Sequence, residues 1–219
     1  MPRTRTVFYP ILFGCVGGGI LVGCSSRDAN EPVGSAPPAT APDSPRSADP
    51  QQVEQPPMSE DHTTTTSLRG LAFEMADGTK ATLEQYQGRV VLVVNVASRC
   101  GLTPQVAGLQ SLHEANSDRG FTVLAFPSAS FNQEPLDSAR AAEFCQDMGA
   151  TYPIAAKVDV RGSTAHPLFA RLGELSAEPD WNFTKYLIDR EGNLVARFSP
   201  RTSPTDQELQ QAIDAALAG

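Results

Sequence analysis

The sequence predicts an α/β fold over residues 66–219, a central mixed β-sheet flanked by helices, preceded by a signal peptide and a disordered linker. Three observations carry this reading. Val90-Val91-Leu92-Val93-Val94-Asn95-Val96-Ala97 is an unbroken, β-branched run of the kind that forms a strand buried on both faces. A helical pattern and a second apolar run, Phe121-Thr122-Val123-Leu124-Ala125-Phe126, follow it and complete a strand–helix–strand unit. A hairpin pattern and an amphipathic segment close the chain, which makes the order of elements mixed.

The chain begins with a targeting pattern. Arg3 and Arg5 precede an uncharged, mostly apolar run from Val7 to Val22, shorter than the ~20 residues of a membrane-spanning helix. Leu21-Val22-Gly23-Cys24 follows and resembles the lipobox of bacterial lipoproteins. On that resemblance residues 1–23 are a lipoprotein signal peptide, Cys24 is the lipidation site, and the protein is exported and membrane-anchored by lipid at the periplasmic face of a bacterium. The competing reading is an uncleaved anchor with an incidental cysteine. Gly17-Gly18-Gly19 falls within this segment and is no phosphate loop.

Residues 24–65 are rich in Pro, Ala, Ser and Thr, and no aromatic residue occurs from Ser25 to Leu71. Such a stretch buries too little apolar surface to offset the entropy of ordering it. A flexible linker of about 40 residues reaches roughly 35 Å, enough to hold a domain clear of a membrane. The net charge of −8 over 219 residues, with no Lys/Arg cluster interleaved with aromatics, argues against nucleic-acid binding.

Within the domain, Leu71-Ala72-Phe73 and Ala81-Thr82-Leu83 flank the turn signal Asp77-Gly78. After the central strand, Pro104 marks the first helical position with Thr103 as N-cap, and Val106, Leu109 and Leu112 follow at helical spacing. A second helix is expected from Ser138 to Met148, stopped by Gly149, then a short strand ending at Val158 to Val160 and a short helix from His166 to Leu172. Tyr186-Leu187-Ile188 and Leu194-Val195-Ala196 form a hairpin around Asp189 to Asn193, and Thr205 to Leu217 a terminal helix. This order fits a thioredoxin-like layer architecture.

Once the leader and the acylated Cys24 are set aside, Cys100 and Cys145 remain as thiols. They admit a structural disulfide or a catalytic pair. Cys100 sits just past a buried strand and just before a helix, the edge where open α/β sheets bind ligands. Helix N–H groups there favour an anionic sulfur, and such a thiolate attacks a peroxide O–O bond. A small buried cysteine at a strand end is the plainer alternative. Ala141, Phe144, Cys145 and Met148 share helical core spacing, so Cys145 reads either as an inert core residue or as a resolving thiol. Trp181 and Asn182 precede a strand; a lone Trp packs, or its N–H serves a nucleophile. His62, His113 and His166 share no ligand spacing, so the sequence supports no metal or haem cofactor, and His113 and His166 read as capping or packing residues.

These residues carry a resemblance. Asn95-Val96-Ala97-Ser98-Arg99-Cys100-Gly101-Leu102-Thr103-Pro104-Gln105 resembles the peroxidatic-cysteine motif of the glutathione peroxidase family. The similarity continues through Gln133-Glu134-Pro135, Phe144-Cys145, Tyr152-Pro153-Ile154, His166-Pro167-Leu168 and Trp181-Asn182-Phe183-Thr184-Lys185-Tyr186-Leu187. It implies a thioredoxin fold that reduces hydrogen peroxide or organic hydroperoxides without a cofactor. Cys100 takes the peroxidatic position, and Trp181 and Asn182 two further positions of the catalytic tetrad. Ser130, in Phe126-Pro127-Ser128-Ala129-Ser130-Phe131, stands where the family has glutamine, and the loop before Gln133 is one residue short, leaving Ser130 and Gln133 as the candidates for that role.

Cys145 matches the resolving cysteine of members that use thioredoxin. The resemblance therefore implies a thioredoxin-like protein or a low-molecular-weight thiol as reductant. The segment before Trp181 lacks the insertion of family tetramers, which implies a monomer. Two rivals stand beside this reading. A thiol–disulfide oxidoreductase needs Cys-X-X-Cys, and its fourth position here is Thr103. A non-turnover redox sensor or binding module on the same fold is kept open by Ser130.

Overall fold

The computed structural model describes residues 67–219. The signal peptide 1–23, Cys24 and the linker 24–65 lie outside the described residues. Among the described residues no helix is long and apolar enough to cross a membrane.

A small hairpin comes first. β1 (Ala72–Glu74) and β2 (Lys80–Thr82) pair antiparallel around Gly78, whose φ of +85° favours glycine. Asp77 fixes the turn by accepting the Thr79 N–H at 2.9 Å and its hydroxyl at 2.7 Å. β3 (Val90–Val96) then runs through the centre of the main sheet, every residue buried as the β-branched run predicts. α1 (Gln105–Asn116) crosses to β4 (Phe121–Pro127), parallel to β3. α2 (Ser138–Asp147) and α3 (Pro167–Leu175) follow, then the antiparallel pair β5 (Lys185–Ile188) and β6 (Leu194–Phe198), and finally α4 (Gln207–Ala218). The sheet order is β4-β3-β5-β6, with β5 antiparallel to β3.

Alternation along β3 divides the core in two. Val90, Leu92, Val94 and Val96 face a layer built from α1, α2 and α4, through Leu109, Cys145, Leu209 and Ile213 among others. Val91 and Val93 face the opposite layer of α3 and the β1–β2 hairpin, through Leu168, Phe169, Phe73 and Leu83. Cys100 and Cys145 belong to the same side of the sheet.

Three expectations differ from the structure. Val158 to Val160 form no strand, because their donors go elsewhere: Val158 N–H to the Pro127 carbonyl at 3.0 Å and Val160 N–H to the Ser130 hydroxyl at 3.0 Å. α1 starts at Gln105 with Pro104 as its cap residue, because the Thr103 hydroxyl turns back into the Cys100 loop. The terminal helix starts at Gln207, after Asp206 has closed the preceding turn by accepting the Ser203 N–H at 2.8 Å. His166 caps α3 as expected, its Nδ1 accepting the Leu168 N–H at 3.2 Å, and His113 packs edge-on against Tyr152.

Candidate active site

Cys100 lies on the turn between β3 and α1, nearly buried at 8% exposure, with a free thiol. Leu102 donates its backbone N–H to the Cys100 sulfur at 3.4 Å. That contact strengthens when the sulfur is anionic. Thr103 braces the turn, its hydroxyl accepting the Cys100 N–H at 3.2 Å and lying 2.6 Å from the Cys100 carbonyl and 2.9 Å from that of Ala97. The residues after β4 strap the turn from the other side. Gln133 accepts the Arg99 N–H on its backbone carbonyl at 3.0 Å. The buried Glu134 carboxylate accepts both the Ser98 N–H and the Ser98 hydroxyl at 2.8 Å.

Trp181 and Asn182 are presented by a turn that enters β5. Asn95, fully buried on β3, holds this turn: its Nδ2 donates to the Trp181 carbonyl at 3.1 Å, its Oδ1 accepts the Thr184 N–H at 3.0 Å and its carbonyl the Phe183 N–H at 2.6 Å. Phe183 adopts a φ of +69°, a conformation unfavourable for a bulky residue and maintained by those bonds. Trp181 is 42% exposed, so it is no core packing residue; its ring lies 5.1 Å from that of Phe131. Arg161 stacks over Phe131 at 5.4 Å.

Gln133 and Ser130 are placed differently. Asn182 donates Nδ2 to Gln133 Oε1 at 2.9 Å, so Gln133 links Asn182 to the Cys100 turn. Ser130 points away into its own loop, its hydroxyl accepting the Val160 N–H at 3.0 Å and the Ser128 hydroxyl at 3.1 Å. In the loop before Gln133, Asn132 takes a φ of +57°. Asn182 is fully buried and its Oδ1 has no partner among the described residues, an open acceptor within the cluster.

Cys145 sits on α2, buried at 3% exposure, with its thiol also free. Burial, with a smaller contribution from the Glu134 carboxylate, pushes this thiol up to about 11. Glu134 thus bears on both cysteines, through hydrogen bonds on the Cys100 turn and through its charge on Cys145. No group of three His, Cys, Asp or Glu residues suited to a metal ion occurs among the described residues. Sequence reasoning named Cys100, Cys145, Trp181 and Asn182 but gave no role to Asn95 or Glu134 and read Thr103 only as a helix cap. A buried Asn inside a β-branched run was the one available signal.

Known proteins resemble the chain in sequence and fold. The profile of the family described as Glutathione peroxidase matches residues 69–173. The chain is 48% identical over 145 residues to a glutathione peroxidase homolog of Halalkalibacterium halodurans, covering 63% of this chain and 92% of that protein. Its structure resembles that of T. cruzi GPX1 with a TM-score of 0.55 at 35% identity, over 68% of this chain and 95% of the other. A thiol:disulfide interchange protein of the thioredoxin family from Chlorobium tepidum shares the fold, with a TM-score of 0.52 at 17% identity over 69% of this chain and 97% of that one.

Proposed function

We propose, from the premise that the chain belongs to the glutathione peroxidase family, that it is a thiol peroxidase acting on hydrogen peroxide or organic hydroperoxides through Cys100 and Cys145. The observation that carries this reading is the Cys100 turn itself. A nearly buried sulfur accepts a backbone N–H, and the adjacent turn is tied through Gln133 to Asn182.

In the first step the Cys100 thiolate attacks one peroxide oxygen. An S–O bond forms, the O–O bond breaks, and the departing oxygen takes a proton to leave as water or an alcohol. The donors for that developing charge are the Trp181 indole N–H and the amides of Asn182 and Gln133. The unpartnered Asn182 Oδ1 is available to the O–H of an incoming peroxide. In the second step the Cys145 thiol condenses with the Cys100 sulfenic acid, forming a disulfide and releasing water. A thioredoxin-like protein, or a low-molecular-weight thiol, then supplies two electrons and two protons by exchange. The protein acts as a monomer, anchored through a lipid on Cys24 at the outer face of a bacterial inner membrane or at an outer membrane.

Steady-state turnover with hydrogen peroxide, thioredoxin and its reductase tests the cycle. Cys100→Ser abolishes turnover, and Cys145→Ser leaves a single oxidation per molecule. Full thioredoxin-dependent turnover by Cys100→Ser would refute it. A wild-type protein that oxidises once and stops would be a redox sensor instead.

A further inference from the structure

Lys185 is a titratable group to which the proposed cycle gives no task. It stands on β5, just after the Trp181–Asn182 turn, and is fully buried. Its Nζ donates to Gln105 Oε1 at 2.6 Å, to the Thr202 carbonyl at 2.6 Å and to the Pro200 carbonyl at 3.2 Å. An ammonium has three N–H groups, and here each meets an oxygen. Gln105 adds a second tie, donating Nε2 to the same Pro200 carbonyl at 2.9 Å. Burial brings the Lys185 ammonium down to about 8, opposed by the charge of Asp206, which leaves it protonated at neutral pH. One buried cation therefore joins three segments: the start of α1, β5, and the loop after β6.

That loop is also the outer wall of a cavity beside the site. The cavity, about 380 Å³, is lined by Leu102, Asp180, Trp181, Ser199, Pro200 and Arg201. Leu102 is the residue whose N–H meets the Cys100 sulfur, and Trp181 precedes Asn182. Asp180 is committed elsewhere, its carboxylate accepting from Arg197 at 2.9 Å and from the Thr184 hydroxyl at 3.1 Å. The Leu102 side chain, the Trp181 ring and Pro200 remain as apolar surface. Hydrogen peroxide has no use for such a cavity, whereas its size falls in the range that accommodates a small organic group.

We infer that this cavity seats the organic group of a hydroperoxide, and that Lys185 is the positioning residue that holds its outer wall against the Cys100 turn. The inference deepens the peroxidase reading and rests on it for the identity of the ligand. Lys185 touches the wall from behind and acts through Pro200 and Thr202. Removing its ammonium leaves the Thr202 carbonyl without this donor and the Pro200 carbonyl with Gln105 alone, and frees the loop.

The test separates binding from turnover. Trp181 is the only tryptophan of the chain and lines the cavity, so its emission reports occupancy. The full-length protein is titrated with cumyl alcohol, the unreactive product of an aryl hydroperoxide. Wild type gives a saturable change, and both Lys185→Met and Gln105→Ala weaken it, Lys185→Met by about tenfold. In turnover, the preference for cumene hydroperoxide over hydrogen peroxide falls in parallel. Gln105→Ala removes one acceptor of the clamp without touching the buried charge, which keeps the test decisive if Lys185→Met does not fold. The inference is overturned if wild type shows no saturable change, or if folded Gln105→Ala binds the alcohol as wild type does. Saturable binding without any turnover would instead uphold the cavity and sink the peroxidase reading.

Discussion

Gln133 and Ser130, the two candidates that the sequence left for one role, are placed differently. Ser130 is spent on Val160 and Ser128, while Gln133 reaches Asn182 and the residue before Cys100. Gln133→Ala therefore lowers turnover by about 10²-fold, the scale of losing one preorganised donor. Ser130→Ala costs stability of about 1 kcal/mol and leaves the chemical step nearly intact. Turnover rates and melting curves of the two variants check this, and the reverse pattern would return the role to Ser130. Lys185 gives a second prediction at this scale. Its partners present neutral oxygens from α1 and the loop after β6, and Asp206 at the start of α4 is the charge acting on it. As pH rises through about 8 the ammonium loses its proton, and two N–H groups cannot serve three acceptors. The preference for cumene hydroperoxide over hydrogen peroxide then falls in wild type and stays flat in Lys185→Met. Any step common to both substrates cancels in that ratio.

At the scale of elements, the proposed cycle makes α2 the part that moves. Cys145 is buried in it, and a thiol held up to about 11 is a poor partner until it leaves the apolar layer. The helix is short, ten residues from Ser138 to Asp147, and its first turn is secured by Asp137 accepting the Arg140 N–H at 2.9 Å. Asp137→Ala removes that cap at a cost of about 1 kcal/mol. If local opening of α2 limits disulfide formation, the variant closes the disulfide about fivefold faster while melting at a lower temperature. Rapid-quench alkylation after peroxide addition measures the rate. An unchanged or slower rate would mean that Cys145 reaches Cys100 without opening α2. The turn that carries Trp181 is built oppositely, locked by Asn95 and by the strained Phe183. A fixed donor turn and a short, capped helix suit a site in which one thiol stays and the other travels.

Across the whole molecule, most elements were legible because their periodicity is local. The β-branched run of β3, the helical spacing of α1 and the turn residues of both hairpins each announce themselves without tertiary help. Val158 to Val160 misled because their composition imitates a strand, while their donors are taken by Pro127 and Ser130 from a distant loop. The cysteines, Trp181 and Asn182 were singled out from their motifs, and the structure places Trp181 and Asn182 on one turn entering β5. The tasks of Glu134 and Lys185 were not legible, nor which of Ser130 and Gln133 meets Asn182, since each depends on which segment packs beside it, and a lysine is ordinarily read as exposed. The central claim, a cycle shared by two thiols that are separate and free in this structure, depends on the whole fold bringing α2 to the Cys100 turn. One equivalent of hydrogen peroxide added to the reduced full-length protein, followed by alkylation and peptide mapping, tests it most directly. The account predicts a peptide pair joined by a Cys100–Cys145 disulfide, reopened by thioredoxin. Cys100 oxidised to a sulfinic acid with Cys145 still alkylated, or both thiols untouched, would contradict it.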